Sequence, residues 1–378
     1  MFNGASPSGQ IKAAVVRQKG GPFQLEVVTL EPPRRDEVLV RIVATGMCHT
    51  DMVARDQIYA VPHPVVLGHE GAGIVEAIGS DVVEVAPGDH VVLTFLPCGR
   101  CRACQEGAPA SCENINELNF SGHRHDGTHA LSDRDGHLLN DRFFGQSSFG
   151  TYAIANERNV VKVRKDAPLE LLGPLGCGIQ TGAGAVLNAL KVGAGDSFAA
   201  FGAGAVGLSA VLAAVATGAT TIFAVDVVPT RLELAKTLGA THVINSREQN
   251  AVEIIRQVTG SGVDFSLDST AHPKVIRAAV EALRPRGKCG IAGTPMPGTN
   301  LELDATDLMQ KCKIVRGIIE GDSVPKVFIP HLVDLYMQGR FPFDKLVKFY
   351  AFEEINEAAA DSEKGGTIKP ILRIGAVV

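Results

Sequence analysis

The run Gly202-Ala203-Gly204-Ala205-Val206-Gly207 constrains this chain more than any other six residues in it. It reads G-x-G-x-x-G, a pattern that a chain with 41 glycines in 378 residues can also produce by chance. Its surroundings argue against chance. An apolar strand candidate, Ser197–Gly202, leads into it, an Ala-rich helix candidate follows, and Asp226 closes the next strand 19 residues after Gly207. Strand, glycine turn, helix and acid in that order form a dinucleotide-binding fingerprint. The first glycine makes the tight turn, the second lets the backbone approach a pyrophosphate, and the third lets helix and strand pack closely. The pyrophosphate is expected on the helix N-terminus, where backbone N–H groups lack partners. Asp226 is placed to accept hydrogen bonds from ribose hydroxyls and to repel a 2′-phosphate, which favours NAD over NADP. The expected contacts are therefore Gly202, Gly204, Val206, Gly207 and Asp226.

The sequence around this turn alternates strand and helix. Strand candidates are Ser197–Gly202, Thr221–Asp226, His242–Ile244, Val263–Leu267, Lys288–Ala292 and Ile314–Ile318. Helix candidates start near Val206, Thr230, Asn250, Pro273 and Asp304. That rhythm predicts an α/β fold with a Rossmann-type, doubly wound parallel sheet. The 29 residues from Ser197 to Val225 carry no charge and are long enough to span a bilayer. Four glycines break them into strand-like and helix-like halves, so a buried strand, turn and helix is expected, with no membrane partner. The opening MFNGASPSGQ has neither a basic start nor an apolar core. It reads as a frayed tail, and a cytoplasmic location is expected.

Residues 11 to about 178 look different. Strand-like runs (Lys12–Val16, Glu37–Ala44, His90–Phe95) are punctuated often by Gly and Pro, which predicts a loop-rich antiparallel β domain. Residues 119–146 are polar and carry His123, His125, His129 and His137, so they read as a solvated surface excursion. After Gly321 the pattern turns irregular again. The simplest layout is an insertion, with 1–178 and 322–378 forming one domain and 179–321 a second, NAD-binding one. The net charge of −5 disfavours a general nucleic-acid binder, which is usually basic.

Four of the eight cysteines fall in one window. Cys98, Cys101, Cys104 and Cys112 give C-x2-C-x2-C-x7-C. That suits a closed all-thiolate zinc site with no open position, hence a structural one. A ferredoxin-type iron–sulfur run would end C-x3-C-P, whereas the last gap here is seven residues and Glu113 follows. Three further pieces lie apart: Cys48-His49-Thr50-Asp51, Gly68-His69-Glu70 and Gly176-Cys177-Gly178. Together they could supply two thiolates and an imidazole, the ligand set of a catalytic zinc with a free fourth position. Spacing leaves their convergence open. Cys48 and Cys177 can equally be buried small hydrophobes.

In Gly46-Met47-Cys48-His49-Thr50-Asp51, Gly68-His69-Glu70-Gly71, the Cys98–Cys112 cluster, Gly176-Cys177-Gly178 with Thr181-Gly182, the Gly202–Gly207 turn and Gly366-Thr367-Ile368-Lys369, the chain resembles the zinc-dependent, medium-chain alcohol dehydrogenases. The pieces occur in the family's order and span nearly the whole chain. Phe143-Phe144-Gly145-Gln146-Ser147-Ser148-Phe149-Gly150 and Leu172-Gly173-Pro174-Leu175-Gly176-Cys177-Gly178 are similar to the bacterial benzyl-alcohol and geraniol dehydrogenase branch.

The resemblance implies a GroES-like catalytic domain and two zinc ions per subunit. Cys48, His69 and Cys177 would hold the catalytic ion, and Cys98, Cys101, Cys104 and Cys112 the structural one. It implies reversible, NAD-dependent oxidation of a primary aromatic or allylic alcohol to the aldehyde by hydride transfer, with the alcohol oxygen at the fourth zinc position. Thr50 would take the alcohol's proton, Asp51 would fix the His69 tautomer, and Glu70 would lie near the metal. Where many members carry a relay histidine three positions after the hydroxyl residue, this chain has Val53. His49 is then the local candidate for passing the proton on, or for contacting pyrophosphate. Thr181, Arg231 and Lys369 are further cofactor candidates, the last two with surface charge as the alternative. Phe95, Tyr59 and Phe149 are pocket candidates by proximity to the motifs. A homodimer or homotetramer is implied. The alternatives are a glutathione-dependent formaldehyde dehydrogenase and a non-catalytic NAD-binding protein.

Overall fold

The computed structural model describes residues 9–375. The chain divides into two compact units. One takes the chain up to Cys177, Val324–Met337 and the chain from Asp344; the other takes Gly178–Ser323 and Gln338–Phe343.

The first unit is built on two mainly antiparallel sheets. One orders its strands Val65–Val66, Gly9–Val16, Phe23–Leu30, Leu131–Ser132 and Leu138–Leu139. The other runs Val160–Lys162, His90–Leu93, Glu70–Ile78, Glu37–Gly46, Lys369–Arg373 and Val347–Ala351, with Tyr152–Asn156 also on Glu37–Gly46. Glu37–Gly46 is buried along almost its whole length. Its apolar run Val38-Leu39-Val40 suits a strand covered on both faces. It antiparallel-pairs with Glu70–Ile78, which sets Gly46 opposite Glu70.

Three expectations for this unit need correction. Of the tail read as frayed, residues 1–8 lie outside the described residues, while Gly9 and Gln10 already pair with Leu30 and Thr29. Residues 119–146 are not a surface excursion. Arg124, Asp141 and Arg142 are buried, and both arginines bind Glu37 (2.8 and 2.7 Å). Polar sequence implies exposure only when its charges are unpaired. After Gly321 the chain is not irregular, because Pro325–Met337 and Ile355–Glu363 are helices. Pro325 opens the first, where its missing N–H costs nothing. Pro330 lies inside it, which disguised the apolar face Phe328, Ile329, Leu332 and Val333.

The second unit holds a six-stranded, all-parallel sheet ordered His242–Asn245, Thr221–Asp226, Ser197–Phe201, Val263–Asp268, Leu283–Ile291 and Ile314–Gly317. Helices Ala205–Thr217, Pro229–Thr237, Ala251–Thr259, Pro273–Glu281 and Ala305–Gln310 connect or follow the strands. The strand expected from Lys288 starts at Leu283, because Arg284-Pro285-Arg286-Gly287 hides an extended lead-in behind a register shift. The uncharged stretch resolves into strand, turn, helix and strand, and its helix is buried from Gly207 to Ala214. Among the described residues, no helix is long and apolar enough to cross a membrane.

Candidate functional site

Cys48 precedes helix His49–Arg55 in extended backbone, and Asp51 is the third residue of the helix. The Asp51 carboxylate is therefore aimed back over the helix start, as in a capping box. Its Oδ2 accepts the Cys48 N–H at 2.9 Å. Its Oδ1 accepts the Gly68 N–H at 3.1 Å and faces Nδ1 of His69 at 2.9 Å. Asp51 thus ties the cysteine and histidine segments together. Gly68 is at φ +90°, and a Cβ there would lie 2.5 Å from Phe149 N. Only glycine fits that combination of backbone and space.

Cys177 reaches the same point by close packing. A Cβ on Gly176 would lie 2.1 Å from Leu93 O, and the Thr94 hydroxyl donates to Gly176 O at 2.7 Å. The potential ligand atoms of Cys48, His69, Glu70 and Cys177 all lie within 4.8 Å of one another. Nε2 of His69 is buried without a hydrogen-bond partner. A buried orphan nitrogen beside two sulfurs fits a metal ligand set. Two thiolates and one imidazole suit zinc, with Glu70 or a substrate oxygen as the fourth donor.

The charges of the cluster act strongly on one another. The neighbouring Cys177 sulfur holds the Cys48 thiol well below its ordinary range, helped by Lys369 and His69 against the opposing effect of burial. Burial pulls the His69 imidazole down, but Asp51 and Cys48 outweigh it and hold it well above its usual value. Burial raises Glu70, opposed by Lys369.

Lys369 is not a surface charge. It is 1% exposed, and its Nζ lies 2.8 and 3.0 Å from the Glu70 oxygens and 3.3 Å from Met47 O. These contacts use the three N–H directions of an ammonium, so none is left for the pyrophosphate contact considered above. The cause is register: Lys369 opens the strand beside Glu37–Gly46, whose end faces Glu70. Thr50 is half-buried, with Oγ1 3.8 Å from Cys48 Sγ, and His49 is exposed.

Several site neighbours were invisible to motif reasoning. The Phe144 ring centroid lies 4.5 Å from that of His69, and Phe143 meets His69 edge-on. Phe120 meets both phenylalanines. Gln146 donates to His69 O and Thr94 O and accepts the Gly71 N–H. Arg142, Phe144 and Ser147 all have positive φ, a concentration of strain beside His69. The only available signal was the FFGQSSFG run. Phe95 and Phe149 are fully buried core residues, the latter against Phe23, while half-buried Tyr59 meets Phe120 edge-on. Of the histidines read as solvated, His125 and His137 are exposed. His123 and His129 are half-buried and meet ring to ring, because the segment carrying them is folded onto Glu37.

The second cysteine group is also assembled. The Cys98, Cys101, Cys104 and Cys112 sulfurs lie within 4.8 Å of one another. Cys98 Sγ receives the Arg100 and Cys101 N–H groups (3.4 and 3.2 Å), and Cys112 Sγ the Cys98 N–H (3.2 Å). Burial opposes ionisation of Cys98, but those N–H groups bring its thiol down to about 6. Four sulfurs with backbone donors fit a closed tetrathiolate zinc site.

In the second unit, Gly202 has φ +99° and a Cβ on Gly207 would lie 1.7 Å from Gly202 O. A Cβ on Gly204 would meet nothing within 4 Å. The turn is therefore tight where the fingerprint needs contact and open where a ligand would lie. Gly204 caps helix Ala205–Thr217 without a side-chain bond. Asp226 accepts the Ala203 N–H at 2.6 Å and those of Val227 and Val228. Nε of Arg231 is buried without a partner. Thr181 is buried in helix Gly178–Gly184, and Val206 is half-buried, its carbonyl 2.0 Å from where a Gly182 Cβ would lie. These residues fit a bound dinucleotide.

The chain matches the family model described as the alcohol dehydrogenase GroES-like domain over residues 34–165, and that of the zinc-binding dehydrogenases over residues 205–336. A geraniol dehydrogenase of Castellaniella defragrans is 49% identical over 363 residues, 96% of this chain and 97% of that one. A crystal structure of an alcohol dehydrogenase zinc-binding domain protein from Burkholderia ambifaria superposes with TM-score 0.96 at 58% identity, covering 97% of this chain and 99% of that one. The benzyl alcohol dehydrogenase of Acinetobacter calcoaceticus gives TM-score 0.94 at 56% identity, with the same coverage.

Proposed function

The chain belongs to the zinc-binding alcohol dehydrogenase family, and from that premise we propose that it catalyses the reversible, NAD-dependent oxidation of a primary aromatic or allylic alcohol to its aldehyde. The observation that carries the reading is the meeting of Cys48, His69 and Cys177 in one cluster, with Nε2 of His69 buried and without a hydrogen-bond partner. The likeness to a geraniol and a benzyl alcohol dehydrogenase supports the substrate class.

Cys48, His69 and Cys177 would hold zinc, which when bound polarises an alcohol or carbonyl oxygen as a Lewis acid. The Gly202–Gly207 turn and Asp226 would hold NAD, which supplies hydride transfer. The chain's own residues do the rest. Asp51 keeps the Nδ1 hydrogen on His69, so Nε2 presents its lone pair to the sulfur side. Lys369 neutralises Glu70 and adds positive charge near Cys48. The Thr50 hydroxyl takes the substrate proton and His49, exposed beside it, hands it to solvent. Cys98, Cys101, Cys104 and Cys112 pin the loop that leads to Phe120.

In this reading residues 1–178 and 322–378 form the catalytic domain and 179–321 the NAD-binding one. We place the enzyme in the cytoplasm, where the reduced thiols of both clusters persist. A homodimer or homotetramer is expected, and light scattering after size exclusion tests it; a monomer would contradict it. The function itself is tested by metal analysis with alcohol-dependent NADH formation. Zinc bound but no turnover on any primary alcohol would refute it.

A further inference from the structure

The second unit contains a buried carboxylate that the chemistry above does not use. Asp268 ends strand Val263–Asp268 and is fully buried. Its Oδ1 accepts the Thr270 hydroxyl at 2.7 Å and the Thr270 N–H at 3.2 Å, and its Oδ2 accepts the Ala271 N–H at 3.1 Å. Burial pushes this carboxyl above its ordinary range, and those donors work against the shift. All three donors come from the next three residues, so the carboxylate acts as a local clamp. The backbone it clamps is strained: Ala271 has φ +62°, a region that residues with a Cβ avoid. Gly293 leaves room for that turn, since a Cβ there would lie 2.4 Å from Ala271 N.

The clamped turn lies directly on the glycine-rich one. The Ser269 N–H donates to Phe201 O at 2.9 Å, and its hydroxyl to the same oxygen at 3.2 Å. A Cβ on Gly202 would lie 2.5 Å from Ser269 Oγ and 2.9 Å from Thr270 Cγ2. Strain held by a buried charge, against the expected phosphate turn, has the form of a preorganised binding site.

We propose that Asp268 is a positioning residue for nucleotide binding: it holds Ser269–Ala271 against Gly202–Gly207, so that this wall of the cradle is set before the dinucleotide arrives. The proposal rests on the NAD reading of that turn.

The test is fluorescence titration of the zinc-loaded protein with NADH. Wild type is compared with Asp268→Asn, Ala271→Gly and the double variant. Asparagine keeps the shape but replaces one accepting oxygen with an N–H2 group. Loss of one charged hydrogen bond corresponds to about a tenfold rise in Kd. KM for NAD rises with it, while KM for the alcohol does not. Ala271→Gly makes the left-handed turn easy without a clamp, so the double variant recovers most of the affinity. A purely structural role would lower the melting temperature and leave Kd within twofold, which overturns the proposal. Affinity that Ala271→Gly fails to restore overturns it too. Should Asp268→Asn not fold, Thr270→Val deletes the hydroxyl bond to Asp268, along with the longer one from the His272 N–H at 3.2 Å, and must weaken NADH about threefold; unchanged affinity again overturns the proposal. Failure of the wild type itself to bind NADH, seen before any variant is compared, would remove the NAD reading and this proposal with it.

Discussion

Oδ1 of Asp51 lies 2.9 Å from Nδ1 of His69, and solvent reaches neither side chain. The same carboxylate accepts the Cys48 N–H. One acid thus sets both the tautomer of one candidate metal ligand and the backbone that presents another. Asp51→Asn keeps the volume but loses an acceptor and the charge. Zinc affinity should fall 10- to 100-fold, on the order seen when outer partners of a ligating histidine are removed. Competition with a chelator measures it; unchanged affinity would make Asp51 a helix cap and nothing more.

Gly204 and Gly207 sit three residues apart and predict opposite outcomes. An alanine at 207 would collide with Gly202 O, so Gly207→Ala should lower the melting temperature and abolish NADH binding. An alanine at 204 has free space and ordinary backbone. Gly204→Ala should change stability by no more than about 0.5 kcal/mol, yet weaken NADH at least about tenfold by filling the phosphate approach. Thermal melts paired with NADH titrations separate the two.

Glu37 carries the buried ion network that folds residues 124–142 inward. Burial opposes its ionisation, but Arg142 and Arg124 outweigh burial and hold its pKa below the ordinary 4.5. A depressed carboxylate stabilises fully above the unfolded-state pKa, and that stability is lost as pH falls through the folded-state value. Glu37→Gln removes the carboxylate that two buried guanidiniums share, leaving Arg124 with Glu31 and Arg142 with Asp141, and should cost about 3 kcal/mol at pH 7. The gap to wild type should hold down to roughly pH 4.5 and close below it. Urea titrations across that range check the sign; a gap that widens in acid would contradict it.

What could be read ahead of the structure followed the physics of each signal. The βα rhythm and the Gly202–Gly207 turn were legible because parallel strands are short apolar runs and the turn needs glycine at fixed spacing. The convergence of Cys98, Cys101, Cys104 and Cys112 was legible because the four sulfurs are local in sequence. Spacing alone left Cys48, His69 and Cys177 ungrouped, and only the family resemblance joined them: their meeting depends on strand pairing between distant segments, which no spacing encodes. Lys369 was misread for the same reason, since its place opposite Glu70 is a matter of register. Arg124 and Arg142 looked solvated because charge pairing leaves no trace in composition. Phe144 packs its ring against His69 through a strained, positive-φ turn, and nothing in propensity announces that.

The Cys98–Cys112 cluster should be separable from the one formed by Cys48, His69 and Cys177. Arg158 donates to Cys98 O at 2.6 Å, and Asn119 bonds both Leu96 N and Leu96 O, fastening that lobe to the sheet. Cys112→Ser should lower zinc from about two to about one per subunit and reduce the melting temperature sharply. Metal analysis with calorimetry decides; retention of both zinc ions would show that three sulfurs suffice.

His49 stands exposed at the start of the helix that carries Thr50 and Asp51, and Val53 offers no alternative base. His49→Gln should lower turnover more at low pH than at high pH, because solvent hydroxide can replace the lost base only in alkali. A pH–rate profile with the wild-type shape would assign His49 to another role.

The central claim is tested most directly by NADH formation from NAD with the zinc-loaded enzyme. The panel is benzyl alcohol, cinnamyl alcohol, geraniol, ethanol, and formaldehyde with glutathione. The prediction is turnover on the aromatic and allylic alcohols that disappears in Cys48→Ser together with about one zinc per subunit. Turnover with formaldehyde and glutathione alone, or none on any substrate while NAD still binds, would contradict it.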